Sequence, residues 1–167
     1  TSCASPPAAR WCGACASYRC HGTRIGDDAI STGSRAADLF CLSAIAKPAP
    51  DPLFLLAGGP GQSAVEAYPT LLQSLYNIHE SRDIVLVDQR GTGKSNPLRC
   101  LDQADESLSE AEVTKRMIAC PARLDADLRF YTTEIAVQDL DDVRAALGYQ
   151  SLNLYGASYG TRTALTY

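Results

Sequence analysis

The chain has 167 residues, with 15 Lys and Arg against 19 Asp and Glu and a formal net charge of −4. With 46% hydrophobic and 20% charged residues, it has the composition of a globular domain rather than of a disordered chain or a coiled coil. No apolar run approaches the roughly 18 residues that a membrane-spanning helix needs. The sequence contains no block of Lys and Arg residues that would bind nucleic acid or an anionic membrane surface. We therefore expect a globular domain with no membrane span and no nucleic-acid partner.

Five of the seven cysteines fall in the first 41 residues. The Cys12-x-x-Cys15 pair suggests zinc, but a structural zinc site needs a second ligand pair. The adjacent Cys20 and His21 are poorly spaced to provide that pair. We therefore expect no metal and no other cofactor.

The two later cysteines, Cys100 and Cys120, flank a predicted helical segment. They either close a loop as a disulfide, which would stabilise the fold by about 3 kcal/mol through loop entropy, or remain two separately buried thiols. Since seven is odd, at least one thiol stays free or pairs between chains in an oxidising compartment.

Residues 1–46 show neither alternation nor helical spacing, and we interpret them as an irregular, Cys-rich segment. Two hypotheses account for this segment: a disulfide-bonded addition peculiar to this protein, or a reading-frame error. From Lys47 onward the pattern is that of an ordered domain, which we place at 47–167.

Strands and helices alternate in this domain. Apolar runs predict strands at 53–57, 84–87 and 151–155, and helical spacing predicts helices at 63–79 (interrupted near Pro69), from 109 to a break before Pro121, and at 133–147. Ser109 and Glu112 have capping-box spacing, and Gly148 is placed as a C-terminal cap. This alternation favours a parallel α/β sheet, whose chemistry lies at the carboxyl ends of the strands.

The last of these strands leads into Gly156-Ala157-Ser158-Tyr159-Gly160, which matches the Gly-x-Ser-x-Gly nucleophile elbow. The motif needs a strand before it, a helix after it, and small residues two positions either side of the serine; the sequence meets each requirement. In an elbow the hydroxyl is exposed, and the next backbone N–H points at a developing oxyanion. We predict Ser158 as nucleophile and Tyr159 as N–H donor; the alternative is a tight turn with an ordinary serine.

A glycine-rich loop, Gly58-Gly59-Pro60-Gly61, ends the first strand of the domain. An acyl-transfer enzyme of this architecture supplies its second oxyanion N–H from such a loop. We predict Gly59 as that donor; the alternative is a tight loop without a catalytic role.

The segment 88–95 ends in Gly-Lys-Ser after a strand, as a phosphate-binding loop does. That motif needs glycine at its first position, where Asp88 stands, and Asn96-Pro97 leaves no helix starting at Ser95. The sequence therefore disfavours nucleotide binding. We predict that Asp88 and Arg90 form an internal polar anchor, with a substrate-facing Arg90 as the alternative.

Three segments, 58–63, 88–95 and 155–162, together resemble the proline iminopeptidase and tripeptidyl aminopeptidase-like serine hydrolases. The resemblance extends from about 51 to 167. It implies an α/β-hydrolase fold, present here as its N-terminal part: a mostly parallel sheet flanked by helices, truncated after the elbow. Residues 47–167 would then be a partial catalytic domain.

The same resemblance implies that Ser158 is the nucleophile and that Gly59 and Tyr159 lend the oxyanion N–H groups. It implies release of amino acids or short peptides from free N-termini, with peptides or esters as substrates, since related members act as esterases. It also implies a secreted or periplasmic protein, whose signal peptide is not present in this chain. Two departures stand out: Ala57 replaces a frequent histidine, and no strands are predicted upstream of Asp51.

In this architecture the acid and then the histidine follow the nucleophile. Only nine residues follow Ser158, and none is Asp, Glu or His. Both histidines, His21 and His79, lie upstream, and we predict His79 as a surface or C-terminal-turn residue of a helix. We expect a fragment that is inactive alone and whose open sheet edge favours aggregation or a complementary C-terminal fragment. The alternative is a non-catalytic binding protein that keeps the hydrolase scaffold.

Overall fold

A computed structural model describes residues 39–42, 49–101 and 107–167. Within these residues the elements are β1 (Leu39–Leu42), β2 (Leu53–Leu56), α1 (Ala64–Ala67), a 3₁₀ turn (Leu72–Leu75), α2 (Tyr76–His79), β3 (Ile84–Val87), α3 (Glu110–Ala119), 3₁₀ turns at Pro121–Arg123 and Leu128–Phe130, α4 (Thr133–Ala146), β4 (Asn153–Gly156) and α5 (Tyr159–Thr166). In this part of the chain, no helix has the length and apolar character needed to cross a membrane.

The strands form one sheet in the order β1-β3-β2-β4. β2 is parallel to both β3 and β4, with Leu53 opposite Ile84 on one side and Asn153 on the other. The chain therefore passes from β2 to β3 in one direction, then crosses back over β2 to β4. Such a reversal leaves a crevice at the carboxyl end of the central strand, which is where parallel sheets bind ligands. The expected mostly parallel α/β sheet is confirmed.

β1 lies inside the segment that the sequence predicts to be irregular. It pairs antiparallel with β3, from Leu39 opposite Val87 to Leu42 opposite Ile84. The prediction that no strand precedes residue 47 is therefore wrong for these four residues. Their apolar run is too short to show periodicity among the cysteines and small residues around it. Residues 1–38 and 43–48, with the Cys12-x-x-Cys15 motif, lie outside the described part of the chain.

Both faces of the sheet are covered by helices. β2 and β3 are buried at every position, so alternate residues contribute to two apolar clusters. One cluster joins Phe54, Leu56, Val85 and Val87 to Leu140 and Val143 of α4. The other joins Leu53, Leu55, Ile84 and Leu86 to Ala64 of α1 and to Tyr68. The helices and their apolar clusters therefore enclose β2 and β3 on both faces.

The ends of the helices follow the capping signals in the sequence. Ser109 caps α3 through its hydroxyl, and Glu112 completes the capping box. Gly148 follows α4 with a φ of 81°, as a C-terminal glycine does. The predicted 63–79 helix is divided by Pro69 into short pieces.

Cys100 and Cys120 form a disulfide with Cα atoms 5.4 Å apart. Of the two arrangements left open by the sequence, the structure therefore has the cross-link. It ties the polypeptide after β3 to the C-terminal end of α3, a helix with no buried residue.

Candidate active site

Ser158 lies between β4 and α5 with φ 51° and ψ −119°. A positive φ is uncommon outside glycine, and such strain is concentrated at functional sites. The residue is exposed, at the carboxyl end of the strand next to the central one. The strand-to-helix turn that the Gly-x-Ser-x-Gly motif requires is therefore present, with its serine facing solvent.

The two glycines of this motif are required by packing. A Cβ on Gly160 would lie 2.2 Å from the Leu56 carbonyl oxygen, and one on Gly156 would lie 2.3 Å from the Gly160 carbonyl oxygen. Real Cβ atoms never approach so closely, so only glycine fits at either position. The close approach brings β2, β4 and the start of α5 together beneath Ser158.

The loop after β2 packs directly against the serine. A Cβ on Gly58 would lie 3.0 Å from the Ser158 Cβ and 3.6 Å from its Oγ. Gly59 follows with a φ of 108°. The two loops that the sequence assigns to one site are therefore neighbours in space.

Two backbone N–H groups beside the serine are available to a ligand. At the start of α5, the Gly160 N–H donates to the Ala157 carbonyl and the Thr161 N–H to the Ser158 carbonyl. In the described part of the chain, neither the Tyr159 N–H nor the Gly59 N–H donates to a backbone carbonyl. Free amides on both loops suit a developing oxygen anion.

Tyr68 secures the carboxyl end of β2. Its hydroxyl donates to the Leu56 carbonyl at 2.8 Å, and that oxygen also accepts from the Ala157 N–H. Burial raises the pKa of the Tyr68 phenol above its ordinary value, so the group stays a donor at neutral pH.

The turn after β3 has an anion at its centre. The Asp88 carboxylate accepts from the Ser63 hydroxyl at 2.7 Å and from the Val65 N–H at 3.1 Å. A Cβ on Gly93 would lie 1.8 Å from Asp88 Oδ2, so the carboxylate fills the turn. A phosphate-binding loop would have to place phosphate in this space. Lys94 is exposed.

Arg90 is buried and faces the interior. Its guanidinium donates to both Asp139 carboxylate oxygens and, at 2.9 Å, to the Phe130 carbonyl. It also lies 5.9 Å from the centroid of the Tyr131 ring. The predicted internal anchor is confirmed for both Asp88 and Arg90, although each has partners of its own. The substrate-facing alternative for Arg90 is wrong, because its side chain is 2% exposed.

His79 is the last residue of α2 and is 8% exposed. Its place in the C-terminal turn agrees with the sequence, whereas the expected surface position is wrong. The α2–β3 connection lies at the N-terminal ends of the parallel strands. There the Ala49 N–H donates to the Ser81 carbonyl, and Arg82 donates to the Asp51 carbonyl. His79 therefore lies near the N-terminal ends of the parallel strands, whereas Ser158 lies at their C-terminal ends.

Among the described residues, no group of three His, Cys, Asp or Glu side chains is placed to hold a metal ion. Cys20 and His21, the other half of the disfavoured zinc interpretation, lie outside those residues.

Residues 51–167 match a family described as having the alpha/beta hydrolase fold. The chain belongs to the α/β-hydrolase family. It is 33% identical over 134 residues to the serine protease Hip1 of Mycobacterium tuberculosis, covering 69% of this chain and 26% of that protein. It is 32% identical over 129 residues to a tripeptidyl aminopeptidase of Streptomyces lividans, covering 66% of this chain and 24% of that protein. The chain thus spans about a quarter of the length of these peptidase relatives.

Solved structures share the hydrolase fold. A proline iminopeptidase from Mycobacterium smegmatis superposes with a TM-score of 0.52 at 23% identity, covering 80% of this chain and 36% of the other. A proline iminopeptidase-related protein from Thermus thermophilus superposes with the same TM-score at 25% identity and the same coverage. The resemblance to the proline iminopeptidase and tripeptidyl aminopeptidase-like hydrolases is confirmed.

Sequence reasoning missed several residues that support this hydrolase site. The contact between Ser63 and Asp88 joins residues 25 positions apart, and that between Gln89 and Thr163 joins residues 74 apart. Neither contact has a local pattern. The one available signal was Ser63 at the start of a predicted helix, where a hydroxyl is a favoured N-cap.

Proposed function

We propose that this hydrolase-family chain carries the nucleophile of a serine peptidase, an aminopeptidase that releases amino acids or short peptides from free N-termini. The observation that carries the proposal is Ser158 itself, strained, exposed and packed against the Gly58 loop. Peptidase-type relatives support a peptide as the substrate. Esters are the second substrate class, since they react through the same acyl-enzyme chemistry.

The proposed reaction begins with attack of Ser158 Oγ on the scissile carbonyl carbon, while the hydroxyl proton passes to a histidine base. The carbonyl oxygen becomes an anion, and it accepts from the N–H groups of Gly59 and Tyr159. The amine then leaves with the proton, and water hydrolyses the acyl-enzyme to regenerate the serine hydroxyl.

The described residues supply the nucleophile and both proposed donors but no histidine base beside Ser158. No Asp, Glu or His follows Ser158, and His79 lies at the opposite end of the strands from Ser158. A serine without a base stays protonated and is weakly nucleophilic. We therefore expect the 167-residue chain alone to hydrolyse peptides and esters at a negligible rate.

The test is hydrolysis of fluorogenic peptides by the full-length protein, with each peptide offered with a free and with an acetylated N-terminus. We expect cleavage of the free form, weak cleavage of the blocked form, and loss of activity by at least about 10³-fold in Ser158→Ala. Ser151→Ala, which removes an exposed hydroxyl before β4, is the matched control and should retain full activity. Equal cleavage of blocked and free peptides would contradict the aminopeptidase assignment, and full activity in Ser158→Ala would contradict the nucleophile.

We also propose that the protein is secreted or periplasmic. The Cys100–Cys120 disulfide supports this location, because such cross-links persist in oxidising compartments. Fractionation of the source cells should recover the protein outside the cytoplasm; recovery in the cytoplasm with both thiols reduced would contradict the proposal.

A further inference from the structure

Three consecutive side chains after β3 contact three different elements around the site. Asp88 accepts hydrogen bonds from Ser63 and Val65 at the start of α1. Gln89 donates to the Thr163 hydroxyl of α5 at 3.4 Å. Arg90 pairs with Asp139 of α4. The turn after β3 therefore links the loop that carries Gly59 to the helix that carries Tyr159.

Of the three, Asp88 is the residue that contacts the end of the loop carrying Gly59. It is 2% exposed, and its Oδ1 accepts both bonds, while its Oδ2 occupies the space over Gly93. The Ser63 hydroxyl that donates to Asp88 also accepts from the Glu66 N–H, so it is fixed in turn. Bonds to a carboxylate are about twice as strong as neutral ones.

The loop between β2 and Ser63 has little to hold it internally. Its one backbone hydrogen bond among the described contacts joins the Gln62 N–H to the Gly58 carbonyl at 3.4 Å, which is long. The position of the Gly59 N–H is therefore set by the packing of Gly58 against Ser158 and by the two ends of the loop. β2 fixes the first end, and the contact between Ser63 and Asp88 fixes the second.

We propose that Asp88 is a positioning residue that holds the Gly59 N–H at the distance an oxyanion requires. The proposal rests on the proposed function and adds to it the residue that keeps the donor loop in place. Asp88 acts through Ser63 and the loop and touches no reacting atom. Its loss should therefore affect the transition state, in which the anion develops, more than substrate binding.

The first test compares Asp88→Ala with Asp127→Ala in the full-length protein, because an asparagine at position 88 would keep the Oδ1 that accepts both hydrogen bonds. Asp127 pairs with Arg129 on an exposed turn and is the matched control. We expect Asp88→Ala to lower kcat by about 10- to 100-fold, since small misplacements of catalytic groups have costs of this order, with KM changed less than about threefold. A fall in kcat/KM that comes from KM alone would overturn the proposal.

Variants at Ser63 separate positioning from simple destabilisation. Ser63→Ala should lower kcat as Asp88→Ala does, the double variant should be no worse than either, and Ser63→Thr should retain activity because it keeps the hydroxyl. Val143→Ala, which weakens the apolar cluster on the face of the sheet opposite α1, should leave kcat unchanged at temperatures where it is folded. Additive losses, or an equal kcat loss in Val143→Ala, would overturn the proposal.

Amide hydrogen exchange provides a readout that does not need activity. The N–H groups of Gly58, Gly59, Gly61 and Gln62 should exchange faster in Asp88→Ala than in Asp127→Ala. Unchanged exchange would show that the contact between Asp88 and Ser63 does not hold the loop. Faster exchange with unchanged kcat would show that holding the loop does not contribute to catalysis. If the wild-type protein hydrolyses nothing, the proposed function fails, while the exchange result still decides whether Asp88 holds the loop.

Discussion

The elbow around Ser158 depends on residues that have no side chain. Gly160 lies where β2 and the first turn of α5 meet, so its hydrogen occupies the space that any Cβ would need. Because these glycines have no Cβ atoms to collide with the neighbouring backbone, the chain can make the sharp turn that exposes Ser158.

Gly160→Ala should therefore destabilise the protein by about 3 kcal/mol or more, because the new methyl group would overlap the Leu56 carbonyl oxygen. Gly148→Ala is the matched control. It has a φ of 81° but open space around its Cβ position, so it should cost only about 1 to 2 kcal/mol of backbone strain. Urea unfolding of both variants measures the difference. Equal losses would show that α5 can move away from β2.

At the residue scale, local motifs indicate candidate residues but not their partners. Ser158, Gly59 and Tyr159 are proposed from motifs whose spacing is fixed by one turn each. The partners of Asp88 and Arg90 do not follow, since Ser63 and Asp139 are 25 and 49 residues away along the chain. A hydrogen bond between such distant residues exists only once the sheet has brought their elements together.

At the scale of elements, α3 is held in place by its ends. None of its residues is buried, and Met117 and Ile118 are exposed. Its N-terminus is stabilised by the Ser109–Glu112 capping box and its C-terminus by Cys120. Packing therefore contributes little to its position, and the cross-link contributes most.

Replacing both Cys100 and Cys120 by serine should lower the free energy of unfolding by about 3 kcal/mol, since the disulfide closes a sequence separation of 20. Denaturant unfolding of this variant is the measurement. A reducing agent is unsuitable because Cys41 is also disulfide-bonded. A loss below about 1 kcal/mol would show that α3 is held by contacts other than the cross-link.

The elements themselves were largely predictable. The second strand of the domain was predicted at Ile84–Val87 and found there, and the α4 helix ends within one residue of the prediction. Buried runs and capping residues determine such elements locally. β1 was missed because its four residues become a strand only by pairing with β3, which lies more than 40 residues further along the chain.

At the scale of the whole molecule, β4 lies at one edge of the sheet formed by the described residues. Within the described residues it pairs with β2 alone, and its residues are exposed or half-buried where those of β2 and β3 are buried. Tyr155 on β4 and Leu165 on α5 are 44% and 88% exposed. An open strand edge beside apolar side chains is a surface for association.

The 167-residue chain should therefore self-associate at micromolar concentration, and Leu165→Lys should reduce the association by placing a charge beside the edge. Ile118→Lys, on the exposed side of α3, is the matched control and should leave association unchanged. Sedimentation velocity measures both. A monomer with cooperative unfolding would contradict this prediction and favour a binding protein that keeps the hydrolase scaffold.

We propose that Ser158 is an activated nucleophile in the full-length protein. The most direct measurement is labelling with a fluorophosphonate, followed by mass spectrometry to locate the adduct. We expect stoichiometric modification of Ser158, none in Ser158→Ala, and slow modification of the 167-residue chain, which has no histidine after the serine. Labelling of a different residue, or no labelling of a protein that hydrolyses peptides, would contradict the claim.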